Sequence, residues 1–121
     1  MPAKINHDLT DDEILSLLSP FLIAPSSSQI LQIREYLHIL LKWNQSLSLT
    51  AIQNPREIIA RHFGESLFAT SAYPVEKGRL ADLGTGAGFP GLAVKIMRPE
   101  LNVTLIESNK KKCVFLAEVI R

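Results

Sequence analysis

Between Asp82 and Gly91 the chain reads Asp-Leu-Gly-Thr-Gly-Ala-Gly-Phe-Pro-Gly, which gathers four of its six glycines into eight positions. So many glycines with a proline cannot continue a helix or a strand, so the segment is a turn between two elements. Before it, Lys77-Gly78 reads as a turn and Arg79–Leu83 as a short extended run. After it, Leu92, Val94, Ile96 and Met97 recur at helical spacing until Pro99. Asn102–Ile106 is β-branched and apolar, the composition of a strand buried in a parallel sheet. From Asn109 to Arg121 helical spacing returns, with Cys113, Leu116, Val119 and Ile120 expected inward. The order strand, glycine turn, helix, strand, helix predicts a βαβα unit. Its crossover is right-handed, which puts the glycine turn at the carboxyl edge of the sheet, where ligands bind.

The preceding residues predict helices. Thr10-Asp11-Asp12-Glu13 has the capping-box pattern, and Ile14, Leu17 and Leu18 share one face of a short helix that Pro20 ends. Pro25 and Ser26-Ser27-Ser28 make a turn and a new cap. A long amphipathic helix follows to about Gln45, with Ile30, Ile33, Leu37, Leu40 and Leu41 at helical spacing. Asn54-Pro55-Arg56-Glu57 starts one or two further helices that reach Tyr73. The chain is thus expected to divide into a helical region, 1–74, and the βαβα portion, 75–121.

At 121 residues with 46% hydrophobic and 21% charged side chains, the composition is that of a globular chain. The net charge is +1, with the basic excess in the second half, which permits an anionic partner without demanding one. A single cysteine, Cys113, excludes an internal disulfide framework and a multi-cysteine metal site and fits a reducing compartment. No stretch has the apolar length of a signal peptide or membrane span, so a cytoplasmic protein without membrane or metal partners is expected.

The glycine turn narrows the ligand. Glycines permit positive φ and bring a ligand against bare backbone, while amides at the helix start face it, which suits a nucleotide-like molecule. The dinucleotide fingerprint read from Gly84 would need Gly or Ala at position 89, where Phe89 stands. The Gly-Lys-Ser/Thr of a triphosphate loop is also missing. Asp82 lies two residues before Gly84, Gly86 and Gly88, and Glu107 ends the next strand, where a carboxylate can accept from both protons of a ribose diol. This combination resembles the S-adenosylmethionine site of class I methyltransferases.

Four blocks carry a narrower likeness: Lys42-Trp43-Asn44 through Leu49-Thr50, Arg61-His62 through Glu65-Ser66-Leu67, Asp82 through Gly91, and Leu105-Ile106-Glu107-Ser108 with Lys111-Lys112 and Phe115-Leu116. Over residues 30–121 the chain resembles the bacterial small-subunit ribosomal RNA guanine-N7 methyltransferase G family, also called glucose-inhibited division protein B. It departs at Ser48, Glu65 and Ala93, where the family favours Asn, Asp and Pro. The resemblance implies an α/β fold, with the N-terminal helical region packed on the opening βαβα part of a Rossmann-like domain. It implies S-adenosyl-L-methionine as cofactor, Gly84 and Phe89 in contact with it, Gly86 and Gly88 shaping the loop, and Glu107 near the ribose. Small-subunit rRNA is then the partner and a monomer the expected state. Guanine N7 carries a lone pair and no proton, so its methylation needs no general base, and no catalytic residue is assigned. The relatives' further strands and downstream cofactor-contacting Arg lie outside these residues, so the chain is expected to be part of a longer enzyme, to bind cofactor weakly and not to turn over. A small-molecule methyltransferase and a non-enzymatic RNA-binding module are the alternatives. Of the remaining polar features, His62 and Glu65 lack a third metal ligand, Lys110–Lys112 reads as a solvated run, and Trp43 as core.

Overall fold

The computed structural model describes residues 9–71 and 77–121. Helix α1 (Asp11–Leu18) starts at a reciprocal capping box, in which Thr10 Oγ1 accepts from the Glu13 amide and Glu13 Oε1 from the Thr10 amide, both at 3.1 Å. A 3₁₀ turn (Ser19–Phe21) containing Pro20 ends it, and Leu22 follows at φ 62°. Helix α2 (Ser27–Asn44) starts at a second capping box, Ser26 with Gln29, and buries Ile30, Ile33, Tyr36, Leu37 and Leu40. Tyr36 thus joins the core stripe, while Leu41 is only half-buried.

Asn54 caps α3 (Pro55–Glu57), which runs without a break into a π-helical stretch (Ile58–Gly64) and then α4 (Glu65–Ser71). The wider π turn brings successive side chains nearer to one face, and such stretches are frequent at functional sites. Here Ile58, Ile59 and Phe63 are all fully buried. Gly64 lies so close to Phe21 that a Cβ would come within 2.5 Å of the ring. The expected domain boundary at 74/75 and the expected helix end at Tyr73 fall outside the described residues.

Strand β1 (Gly78–Leu83) pairs in parallel with β2 (Leu101–Ile106), in register from Gly78 opposite Leu101 to Leu83 opposite Ile106, and α5 (Gly91–Met97) makes the crossover. Helix α6 (Lys110–Ile120) closes the βαβα order. Gln29 Nε2 donates to the Ile96 carbonyl at 3.3 Å and Arg98 Nη2 to that of Thr70 at 3.2 Å, so α5 is held by both α2 and α4. Trp43 Nε1 donates to Glu118 Oε2 and its ring meets Phe115 edge-on, joining α2 to α6. One core runs through all of this: Ile14, Ile33, Leu40, Phe63, Val94 and Phe115 are each 0–1% exposed. Burying each such side chain is worth about 1.5–3 kcal/mol.

Two expectations need correction. Strand β2 is not buried on both faces, because the helices cover only one. Leu80, Val103 and Leu105 pack on the core, while Leu83 is 79% and Ile106 44% exposed. In α6, Cys113 and Ile120 are exposed, and Phe115 takes the inward position beside Leu116. The inward stripe is turned toward Trp43 on α2, which brings residue 115 to the interface. Overpacking typically costs about 1–3 kcal/mol, so Gly64→Ala should lower stability by about that much in urea unfolding. An unchanged midpoint would mean that the Phe21 ring swings aside without cost.

Candidate functional site: the glycine loop

The loop after β1 contains three residues that only glycine adopts easily: Gly84 at φ 68°, Gly86 at 58° and Gly88 at 98°. They differ in what surrounds them. A Cβ on Gly84 or Gly86 would meet nothing within 4 Å, so these two line open space. At Gly88 it would lie 2.3 Å from the Tyr36 hydroxyl oxygen and 2.8 Å from a Leu92 methyl, so that glycine is needed for close packing as well.

Carboxylates fix the loop from the sheet side. Asp82 Oδ2 accepts from Thr85 Oγ1 at 2.6 Å and from the Gly91 amide at 2.9 Å. The second contact caps α5 from a neighbouring strand, since Pro90 offers no side-chain cap of its own. Glu107 Oε1 accepts from the Gly86 amide at 2.8 Å and Oε2 from the Asn109 amide at 2.9 Å. The Asn109 and Gly86 amides, aided by the Lys112 charge, hold its carboxyl below the usual carboxylate range. The β-ladder also continues into the loop, with the Gly84 and Thr85 amides both donating to the Ile106 carbonyl. Among the described residues the amides of Ala87 and Phe89 have no hydrogen-bond acceptor.

Aromatic rings fix the loop from the helical side. Phe89, joined to Pro90 by a cis peptide, stacks with Tyr36 (5.1 Å between centroids, planes 9° apart) and with His62 (4.8 Å, 13°), and makes a T-shaped contact with Phe63 at 5.0 Å. The Tyr36 hydroxyl donates to the Ala87 carbonyl. Burial, and then the Asp82 charge, push that phenol well above its usual range, so it remains a donor. Beyond the clamp, His62 Nε2 lies 2.7 Å from Thr50 Oγ1.

The five residues singled out in the sequence, Gly84, Gly86, Gly88, Phe89 and Glu107, therefore lie in one loop and at its anchor. Phe89 is half-buried, and its ring is engaged by three others. His62 bonds Thr50, and among the described residues no cluster of His, Cys, Asp and Glu has the makings of a metal site. Nor is any described helix long and apolar enough to cross a membrane. Tyr36, Thr50 and Phe63 escaped the sequence reading because nothing local distinguishes them from ordinary core residues.

Two outcomes follow. Gly84→Ala should cost about 1–2 kcal/mol for its left-handed backbone alone, and Gly88→Ala should cost clearly more in chemical unfolding, because it adds overlap with Tyr36 and Leu92. The Glu107 anchor contributes fully above the ordinary carboxyl range and is lost as pH falls through the depressed folded value. The protection factor of the Gly86 amide against exchange should accordingly hold down to about pH 4.5 and fall only below it.

Residues 29–121 match the family model described as rRNA small subunit methyltransferase G. Curated proteins called ribosomal RNA small subunit methyltransferase G are similar. That of Pelotomaculum thermopropionicum is 48% identical over 81% of this chain and 41% of its own length. That of Roseiflexus castenholzii is 42% identical over 90% and 47%, and that of Xylella fastidiosa (strain M23) 54% identical over 71% and 40%. The matched part thus spans less than half the length of these relatives. With a family match over the glycine loop, its carboxylate anchors and most of the helical region, the chain belongs to the rRNA small subunit methyltransferase G family.

Proposed function

We propose that the glycine loop is the S-adenosyl-L-methionine site of an enzyme that methylates N7 of a guanine in small-subunit rRNA. The observation that carries the proposal is the loop held open between Asp82 and Glu107 in a chain of this family. The fit is chemical as well as steric. Gly84 and Gly86 face open space, the Ala87 and Phe89 amides lack acceptors, and the Glu107 carboxylate retains lone pairs beyond its two amide contacts. When bound, the cofactor supplies an electrophilic methyl group.

In this reading, residues 75–121 open a Rossmann-like domain and residues 1–74 brace it. Gly84 and the Phe89 backbone lie against the cofactor, Gly86 and Gly88 set the loop's path, and Glu107 accepts from the ribose while still holding Gly86. The ring of Phe89 acts from beneath the loop. No side chain is asked to remove a proton, because the guanine nitrogen that would be methylated carries none. The chain's contribution is then alignment by a loop whose shape is set before binding.

Loss of a charge-assisted hydrogen bond costs about 1.5–3 kcal/mol, so Glu107→Gln should weaken binding of S-adenosylmethionine by about tenfold or more in calorimetry. A version with the length of its relatives should transfer labelled methyl from S-adenosylmethionine to unmethylated small-subunit rRNA. Absence of labelled RNA with the loop intact would refute the assignment, and labelling of a small metabolite instead would move it to another substrate class.

A further inference from the structure

The clamp on Phe89 has one imidazole, and it reaches the loop from a different element than Tyr36 does. His62 stands on the π-helical stretch, stacked on Phe89 at 4.8 Å with the planes 13° apart. Thr50 Oγ1 accepts from the Ile52 amide at 3.1 Å, which leaves its hydroxyl proton for His62 Nε2 at 2.7 Å. The hydroxyl can donate to Nε2 when the ring proton is on Nδ1, and its second lone pair can accept when the proton is on Nε2. The same Phe89 ring is stacked on Tyr36, whose hydroxyl holds the Ala87 carbonyl inside the loop. His62, Phe89, Tyr36 and Ala87 therefore form a continuous path of contacts into the glycine turn.

We propose that His62 is a positioning residue for the glycine loop: stacked on Phe89 and fixed by Thr50, it keeps the Gly86–Gly88 backbone in its ligand-binding shape. The proposal deepens the cofactor reading of the loop and rests on it for its effect on binding, though not for its effect on the loop itself. Protonation makes Nε2 a donor, so the Thr50 hydroxyl would then accept through its second lone pair. Burial, and then the neighbouring Arg61 charge, hold the imidazole below its ordinary 6.5, with Glu65 pulling the other way. The contacts brought by Thr50 and Phe89 are uncharged. As pH falls through the depressed folded value, protonation would thus reverse the Thr50 bond and put a charge on the Phe89 stack, which the loop backbone should register.

Nitrogen–proton NMR spectra of the 121-residue protein, recorded from pH 8 to pH 5, test this together with calorimetric affinity for S-adenosylhomocysteine. In the unmodified protein the Gly86 and Gly88 amide signals should move with the same midpoint as the His62 ring, and affinity should fall several-fold over that step. His62→Phe, which keeps a ring against Phe89 but loses the Thr50 bond and cannot titrate, should shift the loop signals and affinity less than His62→Ala does and lose both pH responses. His62→Ala should displace the loop signals at every pH. Loop signals that ignore the His62 titration, or a pH response that survives in His62→Phe, would overturn the proposal whether or not the ligand binds. Loop signals that follow His62 in a protein with no affinity for the ligand would support positioning and refute the cofactor assignment instead.

Discussion

A turn built from Gly84, Gly86 and Gly88 has almost no side chains with which to hold itself, so its shape has to be imposed by its neighbours. Two carboxylates impose it from the sheet. Asp82 ties the loop's beginning to the first residue of α5, and Glu107 ties its middle to the end of β2. Because the two strands are parallel and in register, both acids arrive at the same edge. The fold's main consequence for function is thus that two residues 25 positions apart meet on one short loop. A flexible glycine loop would lose backbone freedom on binding, at about 1–2 kcal/mol per residue, and anchoring removes much of that cost in advance.

The helical region completes the constraint rather than merely packing nearby. Tyr36 on α2 bonds the loop's backbone and stacks on Phe89, and His62 and Phe63 close around the same ring from the π-helical stretch. Gly88 has to be bare for the Tyr36 hydroxyl to approach. The core is therefore shared: substitutions in α2 or the π-helical stretch act on the loop without touching a ligand. Burial disfavours a charge on His62 in this position.

Much of this arrangement was legible in the residues. The capping box at Thr10, a cap in the Ser26–Ser28 run, the βαβα order and the glycine turn are local patterns, and the structure contains each of them. What escaped depends on partners distant in sequence. Asp82 is recognisable as part of a motif, but its service as the cap of α5 depends on how the turn folds back. Cys113 and Ile120 looked inward on periodicity alone, yet α6 is rotated so that Phe115 meets Trp43. Apolar composition suggested that β2 is covered on both faces, whereas helices lie on one face only and leave Leu83 and Ile106 open. The π-helical stretch has no sequence signature, and with it the approach of His62 to Phe89 was invisible.

The central claim is that the loop is rigid because it is held from both sides before any ligand arrives. Native-state hydrogen exchange of the Gly86 and Gly91 amides, in the free protein and in Tyr36→Phe, measures this most directly. Both amides should exchange slowly in the unmodified chain, and both should quicken in the variant although neither contacts residue 36. Exchange at the rate of an open loop in the free protein, or protection that ignores the Tyr36 hydroxyl, would contradict the account.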